Sequence, residues 1–418
     1  MRRSSPAWRW VFPTVWLVLT LGCSLAHWRA WSVPEQATGR TAALDTLCKQ
    51  VSNISQTVNA PAWGAAWFGL HAHAGLTNAL VVNGVGFACW VGAVWLVLAA
   101  RRRLVRPTPP NAEFIEPFTP QALSRRAFLT DSALVAGTAC IAGPGVYASF
   151  VTPWSLRTVR YTVPIKDLPA DLEGLRLVQL TDTHLGPRIP ASFITQAVDL
   201  AISLKPDLFV LTGDYVHMGT GYIGPAAALF GPLTERRPWL IGTVGVLGNH
   251  DHYADGPAVS TAMERVGVRM LDNRRLFLDG RDRRLTPDVT RRESVCIAGV
   301  GDLLEGTVDL HAALRGVPDG MARLVLSHNP DVAELPACRA PASPRVDLML
   351  SGHTHGGQVR LPFVGAPGIP SRYGQKYAYG LVRGPAFPVL VSAGVGMSLL
   401  PVRFRVDPEI VEITLKRA

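Results

Sequence analysis

Five short runs of the chain are dense in residues that ligate cations: Asp182-Thr183-His184, Gly213-Asp214, Gly248-Asn249-His250-Asp251, Ser327-His328-Asn329-Pro330 and Gly352-His353-Thr354-His355-Gly356. They supply carboxylates at Asp182 and Asp214, a carboxamide at Asn249, and imidazoles at His184, His250, His328, His353 and His355. Donors in that number and mixture suffice for two divalent ions sharing one carboxylate. Phosphoester hydrolysis is the reaction that most needs such a pair. Water must lose a proton near neutral pH, and negative charge must be stabilised on the phosphoryl and leaving oxygens. Two ions about 3.5–4 Å apart do both and fix the in-line geometry. Mixed oxygen and nitrogen ligation suits manganese or iron first and zinc second, because magnesium and calcium prefer all-oxygen shells. One Asp-x-His or one Gly-Asp recurs by chance, and a lone buried histidine is usually a hydrogen-bonded core residue. Five such runs in order are a different matter.

Each run follows a short apolar stretch rich in β-branched residues, at 175–180, 208–211, 240–247, 324–326 and 346–350. Further stretches of this kind occur at 294–300 and 389–391, and helix-like segments intervene at 191–204 and 258–266. Buried strands alternating with helices predict an α/β domain over 153–418. The later strands, with Gly- and Pro-rich turns between them, predict a second sheet packed on the first. The ligand runs would then project from strand ends.

The order of the runs resembles the calcineurin-like metallophosphoesterase superfamily. That resemblance implies a four-layer α-β-β-α sandwich with its site at the C-terminal ends of the strands. It assigns Asp182, His184 and His355 to one metal, Asn249, His328 and His353 to the other, and Asp214 as the bridge. It places His250 on the phosphoryl oxygens and leaving group, oriented by a hydrogen bond from Asp251. The expected reaction is attack of metal-bound hydroxide on a phosphodiester or pyrophosphate. Segments 352–362, 370–374 and 400–404 are similar to a bacterial membrane-associated or twin-arginine-exported branch described as phosphodiesterases. By that likeness Gln358, Arg372, Tyr373 and Arg403 are expected to touch substrate. Relatives that act as UDP-2,3-diacylglucosamine pyrophosphatases in lipid A synthesis give an alternative reading. A non-catalytic metal-binding sensor is an alternative of another class, disfavoured by the completeness of the ligand set.

The first 152 residues read as a membrane region with helices at about 11–26, 79–100 and 127–151. The 79–100 stretch has the length a bilayer core requires and ends in Arg101-Arg102-Arg103, a stop expected to stay cytoplasmic. Ser124-Arg125-Arg126-Ala127-Phe128-Leu129 resembles a twin-arginine export signal, or heads an ordinary third membrane helix. Both readings predict a multi-pass protein of the cytoplasmic membrane with its catalytic domain on the outer side. A lipid-linked phosphoester substrate follows from that placement. A shorter tryptophan-bearing patch at 61–70 reads as interfacial, with His71 and His73 beyond it lacking further ligands.

The formal charge of +10 is mostly arginine. Several clusters flank apolar segments, and the one at 274–292 is interleaved with aspartates, which predicts a solvated hairpin. No basic stretch carries the stacking aromatics of a nucleic-acid groove, so no nucleic-acid partner is expected. The six cysteines show no CxxC spacing, and a Cys296–Cys338 bridge is an open possibility.

Overall fold

The ligand-bearing strands are buried on both faces, and this explains why their sequences are continuous apolar runs rather than alternations. In the computed structural model the described residues are 147–340, 343–398 and 401–418. The chain divides into two compact units, Met1–Ser149 and Phe150–Ala418.

Among its described residues the larger unit has thirteen strands: β1 (Arg157–Ile165), β2 (Arg176–Leu180), β3 (Leu208–Leu211), β4 (Gly242–Gly245), β5 (Arg269–Met270), β6 (Arg274–Asp279), β7 (Arg284–Thr286), β8 (Ser294–Gly299), β9 (Arg323–Leu326), β10 (Leu348–Ser351), β11 (Gly380–Arg383), β12 (Pro388–Val391) and β13 (Glu409–Arg417). They form a six-stranded sheet, β1-β13-β2-β3-β4-β5, and a seven-stranded sheet, β11-β12-β10-β9-β8-β6-β7. The central pairs β2–β3, β3–β4 and β9–β10 are parallel. The α-helices with the largest roles are α1 (Ala191–Ser203), α2 (Ile223–Phe230), α3 (Asn249–Arg265), α4 (Leu310–Leu314) and α5 (Pro336–Arg339).

Side chains on successive strand residues point to opposite faces, and the core divides accordingly. Leu177, Leu208 and Val210 from the first sheet pack with Leu324, Leu326, Leu348 and Leu350 from the second. Their neighbours Val178, Leu180, Phe209 and Leu211 face outward onto α1, α2 and α3, meeting Phe193, Ala197, Phe230 and Met263. On the far side Val325 and Met349 meet α4 and α5 through Leu310, Ala313 and Cys338. The layers therefore run helix, sheet, sheet, helix. In α1 the buried positions Phe193, Ile194, Ala197, Val198 and Ala201 recur at helical spacing and give it one apolar face.

The expected strands and helices at the ligand runs are present with ends shifted by a few residues. The basic stretch 274–292 is the hairpin of β6 and β7, tied by Asp279 to the amides of Arg281 and Asp282 and to the Thr290 hydroxyl. Cys296 and Cys338 are free and buried, not bridged. Burial pushes their thiols up to about 12 and about 11, the condition of inert core cysteines.

The helical membrane region requires correction. No helix among the described residues is long and apolar enough to cross a membrane. The stretches at 11–26 and 79–100 and the twin-arginine-like 124–129 lie outside the described residues, as does most of 127–151; 147–150 are helical. The expectation of a multi-pass protein in the cytoplasmic membrane is set aside on the same finding.

Glu412 on β13 clamps its neighbours. It accepts from Arg160 Nε on β1 at 2.7 Å and from Arg176 Nε on β2 at 3.0 Å. Burial pushes this carboxyl up, but the two arginines outweigh it and hold it below the ordinary carboxylate range. A depressed folded-state value stabilises the fold above the unfolded pKa, and that contribution disappears as pH falls through the folded value. Glu412→Gln is expected to cost roughly 1–3 kcal/mol at neutral pH. Urea midpoints of the two proteins should converge as the pH is lowered towards 3; a gap independent of pH contradicts the assignment.

Candidate metal centre

Every ligand run begins just beyond the C-terminal end of a strand. Asp182 and His184 follow β2, Asp214 follows β3, Asn249 and His250 open α3 after β4, His328 follows β9, and His353 and His355 follow β10. The two sheets thus deliver their ligands to one edge. Gln179 Nε2 helps hold that edge by donating to Thr212 Oγ1 on one side and to the Ser351 carbonyl on the other.

The backbone is strained at these positions. Asp182, His184, Asp214, His353 and His355 all have φ between 49° and 71°, the left-handed region that L-residues rarely occupy. Such strain persists only where surrounding structure enforces it, and it concentrates at functional sites. The motif glycines make room for the carboxylates. A Cβ at Gly352 would collide with Asp182 Oδ2, and one at Gly248 with Asp214 Oδ1.

Among the described residues the side chains form three groups, one of them His184, His217 and His250, which shares His184 with its neighbour. Asp182, His184 and His355 make the second and Asp214, His328 and His353 the third, with the ligand atoms of each group all within 4.8 Å of one another. Asp214 Oδ2 lies 3.4 Å from His184 Nε2 and 3.2 Å from His328 Nε2, so one oxygen serves both of the latter groups. His184 Nε2 and His355 Nε2 are 2.9 Å apart, His355 Nε2 and Asp182 Oδ1 3.4 Å, and His328 Nε2 and His353 Nδ1 3.1 Å. Donors about 2.0–2.2 Å from an ion stand roughly 3–3.5 Å from one another. The observed spacings are those edges.

The donor chemistry fits cations as well. Burial holds His184, His353 and His355 below the ordinary imidazole range, with His353 at about 3, the neutral form a metal ligand must have. Burial also pushes His328 down, but the Asp214 carboxylate beside it outweighs this and holds that ring above the range, so a cation there would have to displace its proton. Burial and the neighbouring Asp214 raise Asp182 to about 6, the mark of carboxylates crowded where positive charge is wanted. Asn249 Oδ1 is buried without a hydrogen-bond partner, and the backbone amide of the next residue, His250, donates to the shared Asp214. An orphaned carboxamide oxygen at this place is what a ligand to the second ion requires. Second partners set the orientation of two of the four rings, as metal-binding histidines need, whereas His184 Nδ1 and His355 Nδ1 are buried without one. His328 Nδ1–H donates to the Thr212 carbonyl at 2.8 Å, and His353 is hydrogen-bonded to the backbone of Pro370.

His250 stands beside this centre, its ring edge-on to His184 at 4.6 Å between centroids. Its backbone amide donates to Asp214 Oδ1, and its Nδ1 is 2.6 Å from the His217 carbonyl. With Nδ1–H donating there, Nε2 is left for other work. The expectation that Asp251 orients His250 is corrected. Asp251 is fully buried and accepts from the amides of Gly248, Asp214, Tyr215 and Val216 at 2.8–3.2 Å. It caps α3 and pins the Asp214 loop; a backbone carbonyl orients His250 instead.

The four expected substrate contacts divide. Arg403 is fully buried, and its guanidinium donates to the carbonyls of Ala393, Gly394 and Gly396. It braces the loop that crosses Asp182 through Gly396 N–H, a structural use of the guanidinium. Gln358 is engaged with the backbone too, accepting from Ser398 N–H at 2.8 Å and donating to the Val402 carbonyl at 3.3 Å. Arg372 and Tyr373 are exposed, on a turn that Asp331 holds through Ser371 Oγ and Arg372 N–H. That turn adjoins the Pro370 backbone bound to His353, so it lies at the rim of the centre. Arg403→Met is expected to destabilise the fold by roughly 3 kcal/mol, since it orphans buried carbonyls. A raised KM with an unchanged melting temperature would restore Arg403 as a substrate contact.

His217 belongs to none of the five ligand runs, and the fold places it at the centre. Its ring stacks on His250 at 4.8 Å and 24° and meets His184 edge-on at 5.5 Å. The available signal was its position three residues beyond Asp214, on a loop already carrying a ligand.

The calcineurin-like phosphoesterase family model matches residues 175–357. The chain is 33% identical over 296 residues to YkuE of Bacillus subtilis, an uncharacterized metallophosphoesterase; the match covers 70% of this chain and 98% of that one. It is 30% identical over 298 residues to the phosphodiesterase YaeI of Escherichia coli, covering 70% and 99% respectively. A transmembrane protein with a metallophosphoesterase domain from Danio rerio is 31% identical over 271 residues, covering 63% and 58%.

Proposed function

The chain belongs to the calcineurin-like phosphoesterase family, and from that premise we propose that it is a two-metal phosphodiesterase. The observation that carries this reading is the single oxygen, Asp214 Oδ2, standing 3.4 Å and 3.2 Å from one histidine of each ligand group. Asp182, His184 and His355 would hold one ion, Asn249, His328 and His353 the other, and Asp214 both. Manganese or iron suits these donors best, with zinc behind. When bound, the pair supplies Lewis acidity for activating water and neutralising phosphoryl oxygens. A diester is favoured because YaeI, similar along its whole length, is named a phosphodiesterase.

The chain's own residues do the rest. The backbone clamp of Asp251 fixes Asp214, so the shared carboxylate is positioned before substrate arrives. His250, held at Nδ1 by the His217 carbonyl, presents Nε2 and in its protonated form gives that proton to the departing oxygen. Stacking of His217 on His250 excludes water from one ring face and limits rotation. The substrate is a small-molecule or lipid-linked phosphoester, with no role for nucleic acid. Full-length protein stripped of metal and resupplied with manganese should hydrolyse bis(p-nitrophenyl) phosphate. Folded, metal-loaded protein that leaves this diester and pyrophosphate diesters intact contradicts the proposal.

A further inference from the structure

Beyond the metal ligands, one stretch of the chain has an unbalanced charge. Residues 352–406 contain no aspartate or glutamate, yet carry Arg360, Arg372, Lys376, Arg383, Arg403 and Arg405. Arg403 is consumed by buried carbonyls and Lys376 by Glu334. Arg360 and Arg405 are different. Among the described residues neither takes part in an ion pair, and neither guanidinium has a hydrogen-bond partner; Arg360 lies over the Tyr379 ring at 5.0 Å. The two are brought side by side because Arg360 N–H donates to the Phe404 carbonyl while Phe404 N–H donates to that of Gln358. A short bridge, Val359 to Phe404, joins the strand-like segments.

Between these arginines lies an open cleft of about 540 Å³, walled by Arg360, Leu361, Phe363, Tyr379 and Arg405. Its apolar wall is the tip of a tight hairpin closed by the Leu361–Gly365 bridge. Phe363 is wholly exposed (109%), Val364 is 65% exposed, and Phe363 holds a φ of 66° that disfavours any side chain but glycine's hydrogen. A protein that gains nothing from an aromatic ring there would be more stable with glycine. An uncompensated pair of guanidiniums beside exposed aromatic rings is complementary to an oxyanion that carries an apolar group. Arginine forks recognise phosphate oxygens, and rings stack on the attached body.

We propose that this cleft is a binding site for a phosphate-type oxyanion bearing an apolar substituent. Arg360 and Arg405 hold the anion, and Phe363 and Tyr379 pack on the substituent. Arg360 is five positions beyond His355, so their Cα atoms lie within roughly 17 Å of each other. The site goes beyond the proposed diesterase reaction and does not depend on it. The same chemistry describes a soluble aryl or alkyl phosphoester and the headgroup of an anionic lipid.

The test is direct binding without turnover. Phenylphosphonate, whose carbon–phosphorus bond resists hydrolysis, is titrated calorimetrically into full-length protein stripped of metal by a chelator. Saturable one-to-one binding is expected. Arg405→Gln and Arg360→Gln should each weaken it by about tenfold or more, and Phe363→Ser should weaken phenylphosphonate more than inorganic phosphate. Manganese uptake by the variants reports that they fold, and the exposed Arg405→Gln serves if Arg360→Gln does not. A parallel arm measures retention on phosphatidylglycerol and phosphatidylcholine vesicles. Arginine-dependent retention on the anionic vesicles assigns the lipid source, and soluble binding alone assigns the free phosphoester. No binding by metal-free protein in either arm, or equal binding by wild type and Arg405→Gln, overturns the proposal. Loss of hydrolysis with the binding intact counts against the diesterase reading alone.

Discussion

Asp214→Asn is expected to lower turnover of an aryl phosphodiester by at least about a thousandfold, equivalent to ~4 kcal/mol of transition-state stabilisation. The reason is geometric. Asp214 Oδ2 stands between His184 and His328, so replacing it strips one ligand from both groups at once. Asparagine keeps the shape and the Oδ1 that accepts from His250 N–H, but removes the negative charge that offsets two cations. The fold should survive, because the Asp214 backbone is pinned by Asp251 independently of its side chain. The measurement pairs steady-state kinetics with metal content: activity and bound manganese should fall together. Full activity in a variant that binds less metal would detach the shared carboxylate from the chemistry.

His250→Gln is expected to leave the metal complement unchanged while cutting kcat by about 10²–10⁴. The spacings within the Asp182–His184–His355 and Asp214–His328–His353 groups do not involve the His250 imidazole, which lies with His184 and His217; metal lost from the variant would instead make His250 a ligand. Its loss should matter most where the leaving oxygen is poor. Across aryl diesters of rising leaving-group pKa, the variant should fall progressively further behind wild type. A deficit independent of the leaving group would mean that His250 steadies the phosphoryl oxygens without donating a proton.

Much of the fold and centre was legible because apolar burial and ligand chemistry leave local marks. The strands beneath the ligands are buried on both faces, so Leu208–Leu211 and the Leu-Met-Leu that opens Leu348–Ser351 declare themselves as unbroken apolar runs. By contrast β1 is mostly half-exposed, with charged Arg157 and Arg160, and becomes a strand only because β13 pairs with it along nine residues. Pairing across some 250 residues leaves no trace in either segment alone. The ligand inventory was readable from residue type, since few other purposes bring aspartate and histidine together after strand ends.

The supporting residues were harder to read, because direction is a property of the fold. Asp251 neighbours His250 in sequence, yet at the third position of α3 its carboxylate turns back onto the Gly248 amide, where helix-start acids belong. Arg403 and Arg405 are two residues apart, and nothing local says that one is sealed among carbonyls while the other is exposed. His217 has no motif of its own; the Asp214 loop carries it onto His250. The expectation of a membrane region came from apolar stretches and flanking arginines, and the described helices do not support it.

If two ions share Asp214, hydrolysis must depend on how many are bound, and the two can be counted against each other. Full-length protein stripped of metal is titrated with manganese while bound metal and bis(p-nitrophenyl) phosphate hydrolysis are followed together. Hydrolysis should climb until two manganese ions are bound per chain and then level, with Asp214→Asn failing to reach that plateau. Full activity at one bound ion per chain, or none with two bound, would contradict the two-ion reading.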